Sequence, residues 1–149
     1  MGLRDDKLTE TSKPHEDARS GPPVLVVEDD REQREALCAM LDLEGFGHAE
    51  AANGREALDY LNESRDPCLV LLDLEMPVMN GWEFRVNQLA DERLSQIPVV
   101  VVTASDGGLG NRFPGVEGFL WKPLKFEKLV TVLDRLCPRK KVQAAAGGS

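Results

Sequence analysis

Polar residues with reactive chemistry stand where apolar runs stop. Glu28 and Asp29 follow Val24-Leu25-Val26-Val27, and Asp73 follows Leu69-Val70-Leu71-Leu72. Thr103 follows Val99 to Val102, and Lys122 follows Gly118 to Trp121. Unbroken apolar runs of this length mark strands buried on both faces of a parallel sheet. Open α/β sheets place their ligands outside the carboxyl ends of such strands. Three carboxylates meeting there repel one another unless a cation joins them, and hard oxygen donors in a partly hydrated crevice suit Mg²⁺. A lysine supplies a point charge for one phosphoryl oxygen, and a threonine hydroxyl supplies a hydrogen bond to another. Asp73 is then the natural nucleophile, and its product is an aspartyl-phosphate.

Each residue alone has a plainer reading. Glu28-Asp29-Asp30 suits a helix N-terminus, where acids complement the dipole. Thr103 is an ordinary β-branched strand residue, and Lys122 before a proline is an ordinary loop charge. Asp73 is harder to dismiss, because an acid closing so apolar a strand is costly unless it is paired. It is the coincidence of all of them at strand ends that favours the chemistry.

The elements that must position these residues follow in order. A strand at Val24–Val27 runs into Asp30, whose pairing with Gln33 fits a capping box, so a helix starts near Arg31. Its buried face uses Ala36, Leu37, Met40 and Leu41, and Gly45 ends it. A short strand covers 47–51, and Asn53-Gly54 opens a helix with Ala57, Leu58 and Leu61 inward. After Asp73, Met76-Pro77 and Asn80-Gly81 break the chain before a helix over about 81–90, anchored by Phe84, Val86 and Leu89. Strands at 99–102 and 118–121 come next. A last helix over about 126–136 carries Phe126, Leu129, Val130, Leu133 and Leu136 at helical spacing. Alternating strands and helices imply right-handed crossovers and a doubly wound sheet. The expected fold is α/β and flavodoxin-like, five parallel strands in the order 2-1-3-4-5, with the two acid-tipped strands as neighbours.

Composition narrows the function classes. The 149 residues suffice for one domain, and a net charge of −8 argues against sequence-independent binding to nucleic-acid phosphates. Nothing approaches a membrane-spanning run, so neither insertion nor secretion is expected. Cys38, Cys68 and Cys137 are an odd number without metal-ligand spacing, and Cys38 and Cys68 read as buried thiols of a reducing cytoplasm. His15 and His48 are far apart in sequence and belong to no cluster. Residues 1–22 and 138–149 read as disordered tails flanking a domain over 23–137.

The segments V-L-V-V-E-D-D, L-L-D-L-E-M-P-V-M-N-G, V-V-V-T-A and F-L-W-K-P together resemble the receiver domain of bacterial two-component response regulators. The resemblance implies that Asp73 is the phosphoacceptor and that Asp29 binds Mg²⁺ directly, with Glu28 helping through water. It also implies a metal contact from the backbone carbonyl of Glu75 and phosphoryl contacts from Thr103 and Lys122. Phe119 matches the aromatic position that rearranges with Thr103 on activation, and Pro77 and Gly81 match the turn after the acceptor. The implied partners are a sensor histidine kinase or a histidine phosphotransfer protein upstream and a protein target downstream.

Two departures stand out. Glu28 occupies a position where the family often has Asp. Between Thr103 and Lys122 the family places a full fourth helix, but this chain has Gly107, Gly108, Gly110, Pro114 and Gly115. Inside a helix Gly costs about 1 kcal/mol and Pro about 3 kcal/mol relative to Ala. The fourth helix is therefore expected to be degenerate, a loop or single turn over 105–118. The expected role is a stand-alone phospho-accepting module, not an enzyme by main role, that switches partner binding. The alternative is a pseudo-receiver that binds partners without phosphorylation. An aspartyl phosphohydrolase is disfavoured by the Met-Pro-Val after Glu75, and a flavin carrier by the acids ending the first strand.

Overall fold

The computed structural model describes residues 21–63, 65–104, 113 and 115–139. The expectations for most of both tails and for 105–112 lie outside those residues. Five strands, β1 (Val24–Val27), β2 (His48–Ala51), β3 (Leu69–Asp73), β4 (Val99–Thr103) and β5 (Gly118–Trp121), form one parallel sheet in the order β2-β1-β3-β4-β5. Four α-helices are described: α1 (Arg31–Leu43), α2 (Gly54–Asn62), α3 (Gly81–Leu89) and α4 (Phe126–Leu136). No helix among the described residues is long and apolar enough to cross a membrane.

The apolar runs explain the two-sided burial. β1, β3 and β4 are buried at every position, so alternate side chains feed opposite layers. Leu25, Val27, Val70, Leu72, Val99 and Val101 pack against α2 and α3 through Ala57, Leu58, Leu61 and Phe84. Val24, Val26, Leu69, Leu71, Val100 and Val102 pack against α1 and α4 through Leu37, Cys38, Leu41, Leu129 and Leu133.

Three helix starts follow the caps that the sequence offers, and α4 begins after Lys125 without a side-chain cap. Asp30 accepts from the Gln33 backbone N–H at 3.1 Å, and Asn53 accepts from that of Glu56 at 2.9 Å. Asn80 and Glu83 form a reciprocal capping box at the start of α3. Gly45, with φ +85°, turns the chain out of α1.

Several expectations on helix faces need correction. Ala36 is exposed, and Cys38 takes the inward position instead. Val86 and Leu89 are 68% and 46% exposed, so α3 anchors through Phe84, Arg85 and Gln88. Gln88 is fully buried because its amide donates to the carbonyls of Leu94 and Ile97, tying α3 to the entry of β4. Phe126 is 43% exposed at the first position of α4. Cys68 is not a thiol: it is bonded to Cys137, joining the residue before β3 to the residue after α4. Cys38 remains a free, buried thiol.

Of the expected loop at 105–118, Phe113 is buried with its ring centroid 4.3 Å from that of Trp82. Gly115 has φ +85°, and Gly118 opens β5.

Candidate functional site at the strand ends

β1 and β3 are hydrogen-bonded neighbours, with Val27 opposite Leu72. One residue further along each strand the chain turns polar, and this register brings the acids together. Among the described residues, Glu28, Asp29 and Asp73 each offer a carboxylate oxygen within 4.8 Å of the others. Glu28 is 3% exposed and Asp73 7%, while Asp29 faces solvent. Asp73, Glu75, Thr103 and Ala104 line an open cleft of about 200 Å³.

Lys122 reaches this group from the end of β5. Its backbone N–H donates to the Thr103 carbonyl at 2.9 Å, extending the β4–β5 ladder past the strand ends. Its Nζ lies 3.0 Å from Glu28 Oε1 and 3.7 Å from Asp73 Oδ1. The backbone N–H of Asp30 donates to the second Glu28 oxygen at 3.1 Å. Glu28 is thereby fixed as a bridge between the first loop and Lys122. The arm of Glu28 is long enough to meet both groups at once.

The electrostatics follow from this packing. Burial and then the Glu28 charge push Asp73 up from an ordinary 3.8 to about 6, against the pull of Lys122 and the Glu75 backbone N–H. For Lys122, burial works to lower its pKa, but the Glu28 hydrogen bond and the charges of Asp73 and Glu28 outweigh it and hold it above the ordinary lysine value. Three acids facing one lysine leave excess negative charge that a divalent cation would relieve. The donors are all hard oxygens, with one exposed face for water, as Mg²⁺ prefers.

The backbone around Asp73 is sterically prescribed. A Cβ on Gly81 would lie 2.6 Å from the Asp73 carbonyl oxygen and 2.9 Å from Leu74 Cα. Gly81 N–H donates to the Leu74 carbonyl at 2.9 Å, so the start of α3 is set directly on the acceptor strand's end. Val78, in the turn between them, has φ +68°, a left-handed conformation unusual for a β-branched residue.

Glu28, Asp29, Asp73, Glu75, Thr103 and Lys122 lie at the carboxyl end of the sheet, and Phe119 does not. Glu75 contributes to the cleft, and its carboxylate is outside the three-acid group. Phe119 lies within β5, half-buried, its ring 6.1 Å from that of Trp121 and nearly parallel to it. One participant escaped the sequence reading: Arg34. Its Nη1 donates to the Glu28 carbonyl at 2.8 Å and its Nε to Glu50 Oε1 at 3.0 Å. An arginine one turn into a capped helix, beside a strand that ends in acids, is the signal that could have found it.

Comparisons with known proteins bear on the family and the fold. The family model for the response regulator receiver domain matches residues 24–134. The response regulator Rre1 of Synechocystis sp. is 35% identical over 129 residues, covering 83% of this chain and 55% of its own length. The transcriptional regulatory protein CpxR homolog of Haemophilus influenzae is 38% identical over 120 residues, with coverages of 78% and 50%. The chain thus spans about half the length of these curated relatives. A receiver protein from Pseudomonas putida superposes with TM-score 0.71 at 31% identity, over 76% of this chain and 96% of that one. TrrA of Thermotoga maritima, solved in complex with Mg²⁺ and beryllofluoride, gives 0.68 at 27% identity, over 77% and 98%.

Proposed function

The chain belongs to the response regulator receiver domain family, and from that premise we propose that it relays a signal by accepting a phosphoryl group on Asp73. The donor is a phosphohistidine on a sensor histidine kinase or a histidine phosphotransfer protein. An Asp73 carboxylate oxygen attacks phosphorus, the P–N bond to the donor imidazole breaks, and the departing ring nitrogen is left neutral once the imidazole carries one proton. The product is an acyl phosphate. Water later attacks the phosphorus, the P–O bond to Asp73 breaks, and inorganic phosphate leaves the free carboxylate behind, so the reaction serves timing and the chain is an acceptor more than an enzyme.

Glu28, Asp29, Asp73 and the Glu75 carbonyl are the groups assigned to Mg²⁺, which when bound neutralises charge on the phosphoryl oxygens. The chain's own residues do the rest. Lys122, which bridges Glu28 and Asp73 at rest, shifts its charge onto a phosphoryl oxygen. The Thr103 hydroxyl donates to another, and its movement makes room for Phe119 to turn inward. The face around β5 and α4 then differs between the two states, and a protein partner that binds them unequally reads the signal.

The observation that carries the proposal is the meeting of Asp73, two further acids and Lys122 within one crevice. Intact mass after incubation with Mg²⁺ and acetyl phosphate tests it. One added phosphoryl group, absent without Mg²⁺ and absent in Asp73→Asn, is the expected result. No adduct under any donor concentration, together with no NMR response to beryllofluoride, would overturn it in favour of a phosphorylation-independent interaction module.

A further inference from the structure

On the outer side of β1, away from Asp73, a second group of ligating side chains comes together. Cys38 faces inward from α1, and His48 and Glu50, two residues apart, share one face of the edge strand β2. Cys38 Sγ, a His48 ring nitrogen and a Glu50 oxygen lie within 4.8 Å of one another. The sequence spacing hid this group, because helix and strand approach only after the chain turns at Gly45.

The hydrogen bonds around the imidazole define its orientation. His48 Nε2 lies 3.1 Å from Asp42 Oδ1. An ionised carboxylate only accepts, so Nε2 carries the proton that donates to Asp42. Nδ1 is buried and has no hydrogen-bond partner among the described residues. A buried ring nitrogen left unsatisfied costs free energy unless something occupies it. A carboxylate on the outer ring nitrogen with the inner one turned toward a thiol and a second carboxylate is the arrangement that orients metal-binding histidines.

We propose that Cys38, His48 and Glu50 form a three-ligand site for a borderline transition-metal cation of the Zn²⁺ or Co²⁺ kind, with Asp42 positioning the imidazole. Thiolate and imidazole select such ions over Mg²⁺, whereas the all-oxygen set at Asp73 does the reverse. Tetrahedral bonds of about 2.0–2.3 Å place ligand atoms about 3.3–3.8 Å apart, so the cluster closes with shifts of about an ångström. A fourth position, on the exposed Glu50 side, is left for water. Arg34 holds one Glu50 oxygen, and the carboxylate also accepts from the Cys38 thiol, a hydrogen bond that the ion would replace. Ligation as thiolate displaces the Cys38 proton to solvent, and the neighbouring Glu50 and Asp42 carboxylates attract the cation against the charge of Arg34.

The test uses the full chain with the Cys68–Cys137 bond intact, so that Cys38 is its one thiol, in excess Mg²⁺ to occupy the carboxylate crevice. Co²⁺ is titrated while the near-ultraviolet thiolate-to-cobalt charge-transfer band is followed. The expected result is a band saturating at one equivalent, lost in Cys38→Ser and unchanged in Asp73→Asn. Asp42→Asn should weaken binding by roughly tenfold, the low end for groups behind a ligand. His48→Gln, at a half-buried position on the edge strand, should weaken it more and keeps the test valid if Cys38→Ser fails to fold. Absence of the band in the wild-type chain, or its persistence at full affinity in His48→Gln, would overturn the proposal.

Discussion

Asp73 and Lys122 carry opposite consequences for stability, although they sit 3.7 Å apart. Asp73 holds its proton to about pH 6 when folded and only to about 3.8 when unfolded. Between those values the folded state binds more protons, so stability falls as pH rises through the window. In EDTA the domain should therefore unfold at higher urea near pH 5 than at pH 7.5, and Asp73→Asn should gain roughly 1–3 kcal/mol at pH 7.5. Urea titrations at the two pH values check this; a flat profile would mean that Asp73 is not desolvated. Lys122→Ala leaves the buried Glu28 facing Asp73 without a counter-charge, which should cost roughly 1–3 kcal/mol in EDTA, less than a fully buried pair because Lys122 keeps contact with water. Added Mg²⁺ should restore most of the loss, and a thermal melt with and without the ion reads it directly. The acids were legible in the sequence because each abruptly ends an apolar run. Arg34 and the Cys38–His48–Glu50 group were not, because their partners become neighbours only through tertiary packing.

Elements behave as their caps and glycines dictate. Gly81→Ala places a methyl 2.6 Å from the Asp73 carbonyl oxygen, and the obstacle is backbone that cannot swing aside. A loss of about 1–3 kcal/mol is expected, as for overpacked cores, with phosphorylation slowed because the acceptor strand's end must move. Denaturant midpoints and the rate of acetyl phosphate labelling measure both effects. Val78→Asn should act in the other direction: Val78 is 78% exposed, so the change removes left-handed strain of about 1 kcal/mol without uncovering a core. Strand order, helix starts and strand ends were readable from apolar runs and capping residues. The face of α3 was not, because Gln88 is buried through backbone carbonyls that only the turn at 94–97 brings to it. A periodic pattern assigns such a polar residue to solvent and turns Val86 and Leu89 inward.

At the scale of the whole molecule the Cys68–Cys137 bond spans 69 residues of chain. Closing a loop of that length removes unfolded-state freedom worth about 2–4 kcal/mol, so Cys137→Ser should lower the urea midpoint and reductant should do the same to the wild-type chain. The cysteine count could not reveal the pairing, since the partners meet only when α4 packs beneath β3. The bond also gives the chain the topology of a lariat. Asp73, Thr103 and Lys122 lie on the closed loop, while Glu28 and Asp29 lie on its open arm. A single protease cut anywhere between Cys68 and Cys137 therefore breaks the chain into no separate pieces until a reductant is added, whereas a cut between Asp29 and Cys68 severs the covalent link to the arm that carries the first two acids. The two halves of the crevice are thus joined by different means, one by a covalent ring and the other by β1 lying hydrogen-bonded between β2 and β3.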